Sequence, residues 1–136
     1  MRVLALDYGS ARCGCAVSDP TGVLATPLDP VLAPASRRGL GRLCALVADL
    51  AVERVVVGLP LTLAGGDSAQ TREAREFAQT LQRRLGEVPV ELFDERFTTR
   101  LARLDGGGER VRWSEDSRAA AHLLTGWLDA RAGTRG

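Results

Sequence analysis

Val3-Leu4-Ala5-Leu6 is a short apolar run that ends in a carboxylate, Asp7, and Tyr8-Gly9-Ser10 breaks it. Arg12-Cys13-Gly14-Cys15-Ala16-Val17-Ser18 then alternates back towards Asp19. Two such runs around a small glycine-containing turn read as a β-hairpin. The opening constrains the fold more than any other stretch. An acid at the end of a buried strand is expensive to desolvate unless something positive meets it, and a divalent cation is the usual answer. The competing reading is a turn aspartate bonded to its own backbone.

The rest of the chain alternates strand and helix. Asp19-Pro20-Thr21-Gly22 suits a type I turn, and Val23-Leu24-Ala25-Thr26 is expected as a third strand antiparallel to the second. Pro27 to Pro34 reads as a connector. Leu40, Leu43, Cys44, Val47 and Leu50 recur at helical spacing behind Ser36, a suitable N-cap. Val55-Val56-Val57 has no alternation, which suggests a strand covered on both faces. Asp67 or Ser68 caps a second helix with Ala74, Phe77, Ala78, Leu81 and Leu85 on one face, and Gly86 ends it. Pro89 to Glu95 is a further strand, again finishing in acids. A short helix and a glycine-rich loop follow. A last helix is expected from about Glu115 to Ala130, with Ala119, Ala120, Leu123, Leu124, Trp127 and Leu128 on its apolar face. The pattern specifies an α/β fold: a five-stranded mixed sheet, three antiparallel strands and then parallel ones, flanked by helices. At 136 residues we expect one domain, 1–136, with a single proper core.

Composition excludes several classes. No apolar stretch is long enough to cross a bilayer, and no signal-type segment opens the chain, so a cytoplasmic protein without a membrane partner is expected. Net charge is +1, so contact with nucleic acid would need a local patch rather than a global field. Cys13, Cys15 and Cys44 read as small core residues. His122 reads as a surface or packing residue, and Trp127 as core.

Chemistry concentrates at element ends. Two strands finish in acids, at Asp7 and at Asp94-Glu95; if parallel, both end on the edge where α/β folds place their sites. Strand periodicity sends Asp94 and Glu95 to opposite faces, and Glu95 is taken as the ligand. Asp116 stands in the first turn of the last helix, a position favourable to a carboxylate on its own account. Three acids converging would repel unless cations lay between them, and carboxylate oxygens suit Mg²⁺ or Mn²⁺. Two such ions roughly 4 Å apart can activate a water and stabilise the leaving oxygen of a phosphodiester. Arg96, Arg100 and Arg103 follow i, i+4, i+7 spacing, with Thr98 and Thr99 beside them. The plain reading is a solvated helix face; next to an acidic metal edge the arginines would meet phosphates.

Asp7-Tyr8-Gly9 with Arg12, Gly14 and Ala16-Val17-Ser18-Asp19 resembles the opening motif of the YqgF/RuvX family. Val56 to Leu61 resembles its central strand and loop, Asp94-Glu95-Arg96-Phe97-Thr98-Thr99 its Asp-Glu-Arg signature, and Asp116-Ser117 with Ala119-Ala120 its final helix start. The resemblance implies an RNase H-like fold and a metal-dependent nuclease of the pre-16S rRNA-processing or Holliday junction resolvase type. It makes Asp7, Glu95 and Asp116 the catalytic, metal-binding acids. Tyr8, Gly9, Arg12, Arg96, Thr98, Thr99, Arg100 and Arg103 are the candidate substrate-contacting residues, and the substrate expected is precursor rRNA or a four-way DNA junction. Resolving a symmetric junction would call for a homodimer. Ala11 departs from the lysine the family often has, and Cys13 and Cys15 replace aliphatic residues. The alternatives are a non-catalytic nucleic-acid-binding module in transcription or ribosome maturation and a phosphate-binding relative of actin and the sugar kinases. The latter needs a second domain that 136 residues cannot supply.

Overall fold

A computed structural model describes residues 1–60, 68–95 and 115–135. Strands β1 (Val3–Asp7), β2 (Arg12–Ser18) and β3 (Ala25–Leu32) are followed by helix α1 (Arg37–Asp49), strand β4 (Arg54–Leu59), helix α2 (Ala69–Leu85), strand β5 (Val90–Asp94) and helix α3 (Glu115–Arg135). The strands form one sheet in the order β3-β2-β1-β4-β5. β1 to β3 are antiparallel, and β4 and β5 run parallel to β1. The expected mixed sheet is therefore present, and β1, β4 and β5 all end on one edge.

Strand period two sorts the core. Leu4, Leu6, Val55 and Val57 pack beneath α1 and α2, against Leu43, Val47, Phe77 and Leu81. Val3, Ala5, Ala16 and Val56 face α3 and meet Ala120, Leu123, Leu124 and Trp127. Each fully buried aliphatic side chain contributes roughly 1.5–3 kcal/mol, so both faces fix the strand register. Asp7 continues the Val3–Ala5 row and belongs to the α3 face; Tyr8 turns to the other. Cys13 and Cys15 are buried in the α1/α2 layer, as expected of small core residues.

The helix ends follow local chemistry. Ser36 accepts from Gly39 N–H at 3.0 Å and Ser68 from Thr71 N–H at 3.2 Å, each N-cap worth about 1 kcal/mol. Gly86, at φ +71°, closes α2. Trp127 is buried, with its indole N–H donating to Glu91 Oε2 at 2.7 Å; Glu91 Oε1 also meets Arg54 at 2.6 Å.

Three expectations need correction. The third strand begins at Ala25 rather than Val23 and runs through the supposed connector to Leu32. Pro27 and Pro30 fit because β3 is an edge strand, where missing N–H groups cost no ladder bond. Val23 and Leu24 are instead exposed turn residues, and Ala119 is exposed rather than part of the α3 core face. Leu50 is the C-cap of α1 and packs against the core there, as its place on the apolar stripe implies. The short helix expected after β5 lies outside the described residues.

Candidate active site

The site is a row across three strands. Register sets Asp7 opposite Gly14 on β2, and the Leu6–Val57 pairing brings Gly58 alongside on β4. Asp7 thus has a glycine on each side, and both glycines are required by what lies over them. A Cβ on Gly14 would stand 1.9 Å from the Asp116 carbonyl oxygen. The absent side chain is what lets the start of α3 rest on β2. A Cβ on Gly58 would stand 2.7 Å from Glu95 Oε2 and 2.9 Å from its Cγ, so Glu95 reaches back over β4 through that space. Two missing methyl groups let Glu95 reach over β4 towards Asp7 and let the Asp116 backbone rest on β2 beside it.

Electrostatics record the crowding. Glu95 is pushed up from its ordinary 4.5 to about 8, first by burial, then by its hydrogen bond and repulsion with Asp7, and by Asp94. Asp7 is also raised: burial is the main cause, with a smaller push from Asp116, against a lowering by the bond from Glu95. Two adjacent carboxyl groups so placed share one proton and one charge. Asp116 pairs with Arg12, Oδ2 to Nε at 3.3 Å, with side chains 40% and 58% exposed. Among the described residues, no three His, Cys, Asp or Glu side chains stand as a preassembled metal cluster. The Arg12 guanidinium offsets the charge of Asp116.

Asp19 is a turn aspartate. Its carboxylate accepts from the backbone N–H groups of Thr21, Val23 and Leu24 and is held well below the usual carboxylate range, chiefly by the Thr21 hydroxyl. Asp19 caps its own turn; Asp7 meets Glu95.

Of the residues expected to face substrate, Tyr8 and Gly9 line a cleft of about 350 Å³ beside Asp7 and Glu95, and Arg12 stands over Asp116. The far wall of the cleft comes from Gln70 and Glu73 of α2. Tyr8 stacks on Phe77 with centroids 4.6 Å apart and planes at 30°. Its phenol is pushed up by partial burial and then by the Glu73 carboxylate. Arg96, Thr98, Thr99, Arg100 and Arg103 lie outside the described residues. Sequence reasoning gave no role to Gly14, Gly58 or Ser117. The Ser117 hydroxyl donates to Leu28 O and accepts from Cys15 N–H at 3.5 Å, tying the first turn of α3 to the sheet. A serine directly after an acid at a helix start was the available signal.

Sheet order and an acid-bearing strand edge define the class as RNase H-like. Solved structures that share the fold include Thermus thermophilus RuvC in complex with a Holliday junction substrate, and the fowlpox virus Holliday junction resolvase. The first has a TM-score of 0.62, with 21% identity over 98% of this chain and 97% of that one. The second has a TM-score of 0.53, with 11% identity over 96% and 99%. The RuvX family, described as Holliday junction resolvase, matches residues 1–130, and the chain belongs to it. Relatives in Mycobacterium tuberculosis H37Rv and Mycolicibacterium paratuberculosis are each 44% identical. They cover 96% and 98% of this chain and 79% and 84% of their own length, and both are named "Putative pre-16S rRNA nuclease". No helix among the described residues is long and apolar enough to cross a membrane.

Proposed function

We propose that residues 1–136 form one cytoplasmic nuclease domain that hydrolyses phosphodiester bonds in structured nucleic acid and depends on Mg²⁺ or Mn²⁺. The observation that carries this reading is the carboxylate row: Asp7 flanked by two glycines, with Glu95 and Asp116 closing over them. Such a group is of little use to stability. The raised pKa values of Asp7 and Glu95 mark sites where burial disfavours negative charge, which a hard divalent cation relieves. All three donors are oxygen, matching Mg²⁺ or Mn²⁺, and the buried thiols lie in the other core layer.

Asp7, Glu95 and Asp116 would hold the ions, two of them in our reading. Bound there, the ions would supply a water nucleophile at neutral pH and neutralise charge developing on the phosphate. To reach that state Glu95 gives up its proton and Asp116 releases Arg12. The freed guanidinium is then available to a phosphate oxygen, to which its planar fork is matched. The tyrosine-lined cleft beside the row takes the neighbouring nucleotide.

The test compares cleavage of a four-way junction, a precursor 16S rRNA and a plain duplex, in Mg²⁺, in Mn²⁺ and in EDTA. Asp7→Asn keeps shape and removes charge; it is expected to lose at least 100-fold in rate, about 2.7 kcal/mol of barrier, while folding and binding persist. Metal-dependent cleavage retained by that variant refutes the mechanism. A junction substrate further requires a two-fold dimer, and sedimentation with and without the junction tests it. The competing reading, a binding module without catalysis, draws on the lack of a preassembled cluster among the described residues, and predicts binding to the same panel with no cleavage in either metal.

A further inference from the structure

Gln70 and Glu73 take no part in the carboxylate row, yet both face the same cleft from one turn of α2. Glu73 bears on the Tyr8 phenol from the α2 side of the cleft, whereas Glu95 reaches over Gly58 on β4. The Tyr8 ring is backed by Phe77 and lines the cleft, an arrangement suited to stacking an unpaired base. At about 350 Å³ the cleft is near the small end of ligand pockets and suits one flat ring system rather than a duplex.

Its polar groups decide which ring. An ionised carboxylate only accepts hydrogen bonds. A neutral ring that donates through two adjacent groups fits best. Guanine alone among the four RNA bases presents a ring N–H and an amino group side by side on its pairing edge, so both can meet one carboxylate. The Gln70 amide supplies a donor and an acceptor for the remaining edge. We propose that Tyr8, Gln70 and Glu73 form a subsite for an unpaired guanine next to the scissile phosphate. This rests on the nuclease reading above and adds base preference to it.

The probes are short single-stranded RNAs with one guanosine, inosine or adenosine at a fixed position in a uridine chain. They are followed by cleavage in Mn²⁺ and by fluorescence anisotropy in Ca²⁺. Wild-type protein is expected to favour guanosine over adenosine by about tenfold, with inosine, which lacks the amino group, between them. Glu73→Gln should bring that ratio close to one. Glu73 is exposed on α2, so folding is not at stake in this variant. Tyr8→Leu should weaken guanosine and inosine alike, and Tyr8→Phe should restore both. A wild-type ratio near one, or a ratio that Glu73→Gln leaves unchanged, overturns the subsite. If nothing is cut but the anisotropy ratio appears and is lost in Glu73→Gln, the subsite stands and the nuclease reading falls. Cleavage without base preference is the converse.

Discussion

Gly58→Ala tests the site through one methyl group. The backbone at Gly58 is an ordinary strand, so alanine would on its own favour the fold by about 0.5–1 kcal/mol. The new Cβ would stand 2.7 Å from Glu95 Oε2, 2.9 Å from Glu95 Cγ and 3.1 Å from Leu123 Cδ2. Leu123 needs to give by only a few tenths of an ångström. Glu95 cannot stay, because its own Cγ is inside contact distance. It is the end of a flexible side chain, so it swings towards solvent instead of straining the sheet. Overpacking costs roughly 1–3 kcal/mol, offset in part by the backbone gain and by release of a carboxyl from an unfavourable site, so net stability should change by less than about 1.5 kcal/mol.

Activity should respond very differently. A misplacement of about 1 Å in a positioned group can cost 10²-fold, and Glu95 would move further than that. Gly58→Ala is therefore expected to lose at least 100-fold in metal-dependent cleavage with little change in melting temperature. The control is Gly41→Ala, on α1, where a Cβ meets nothing within 4 Å. It should gain up to about 1 kcal/mol and keep full activity. Circular dichroism melts and single-turnover cleavage read the two quantities separately. Undiminished cleavage by Gly58→Ala would show that Glu95 has no work to do where it stands, and would remove one of the three acids from the mechanism.

Other outcomes follow from the same geometry. Glu95 has a raised pKa in the folded protein, so its contribution to stability is complete below 4.5 and is lost as pH rises through about 8. After allowance for solvent screening this is roughly 2 kcal/mol. Melting in EDTA should fall between pH 5 and 8.5, and Glu95→Gln should flatten that slope; equal slopes in both proteins would refute the assignment. Arg12→Ala removes an exposed ion pair worth at most about 1 kcal/mol, yet should reduce the salt dependence of substrate binding by about one unit in log–log slope. An unaltered slope would mean Arg12 never meets phosphate. Ala51, at φ +53°, follows the C-cap of α1 with Val52 N–H on Val47 O and its own N–H on Ala48 O. This is a Schellman ending with alanine where glycine is favoured. Ala51→Gly should therefore raise stability by about 1 kcal/mol, seen as a higher melting temperature.

What could be read from the sequence was what depends on neighbours along the chain. Ser36, Ser68 and Gly86 mark helix ends through bonds spanning three or four residues, and Asp7 and Glu95 were visible as acids at strand ends. β3 was misread because proline is a breaker everywhere except at a sheet edge, and edge position is a property of the assembled sheet. Gly14 and Gly58 looked like unremarkable strand glycines until register set them on either side of Asp7. The Arg12–Asp116 pair joins the two ends of the chain, which no local pattern encodes.

The acids, then, are held by a scaffold that does not need them. Hydrophobic registers on both sheet faces fix β1, β4 and β5, and the Ser117 and Trp127 hydrogen bonds fix α3 upon them. That rigidity is what allows Asp7 and Glu95 to remain together at a cost: free side chains would separate, and here the glycines and the packed helix leave them few other places. Asp7→Asn makes the trade measurable, because it removes the repelling charge without altering shape. In metal-free buffer the variant should melt higher than wild type, and in Mn²⁺ that order should narrow or reverse, since only the wild-type protein gains the cation's binding energy. A variant that melts lower in EDTA would mean that the Asp7 charge supports the fold, and the carboxylate row would then be structural.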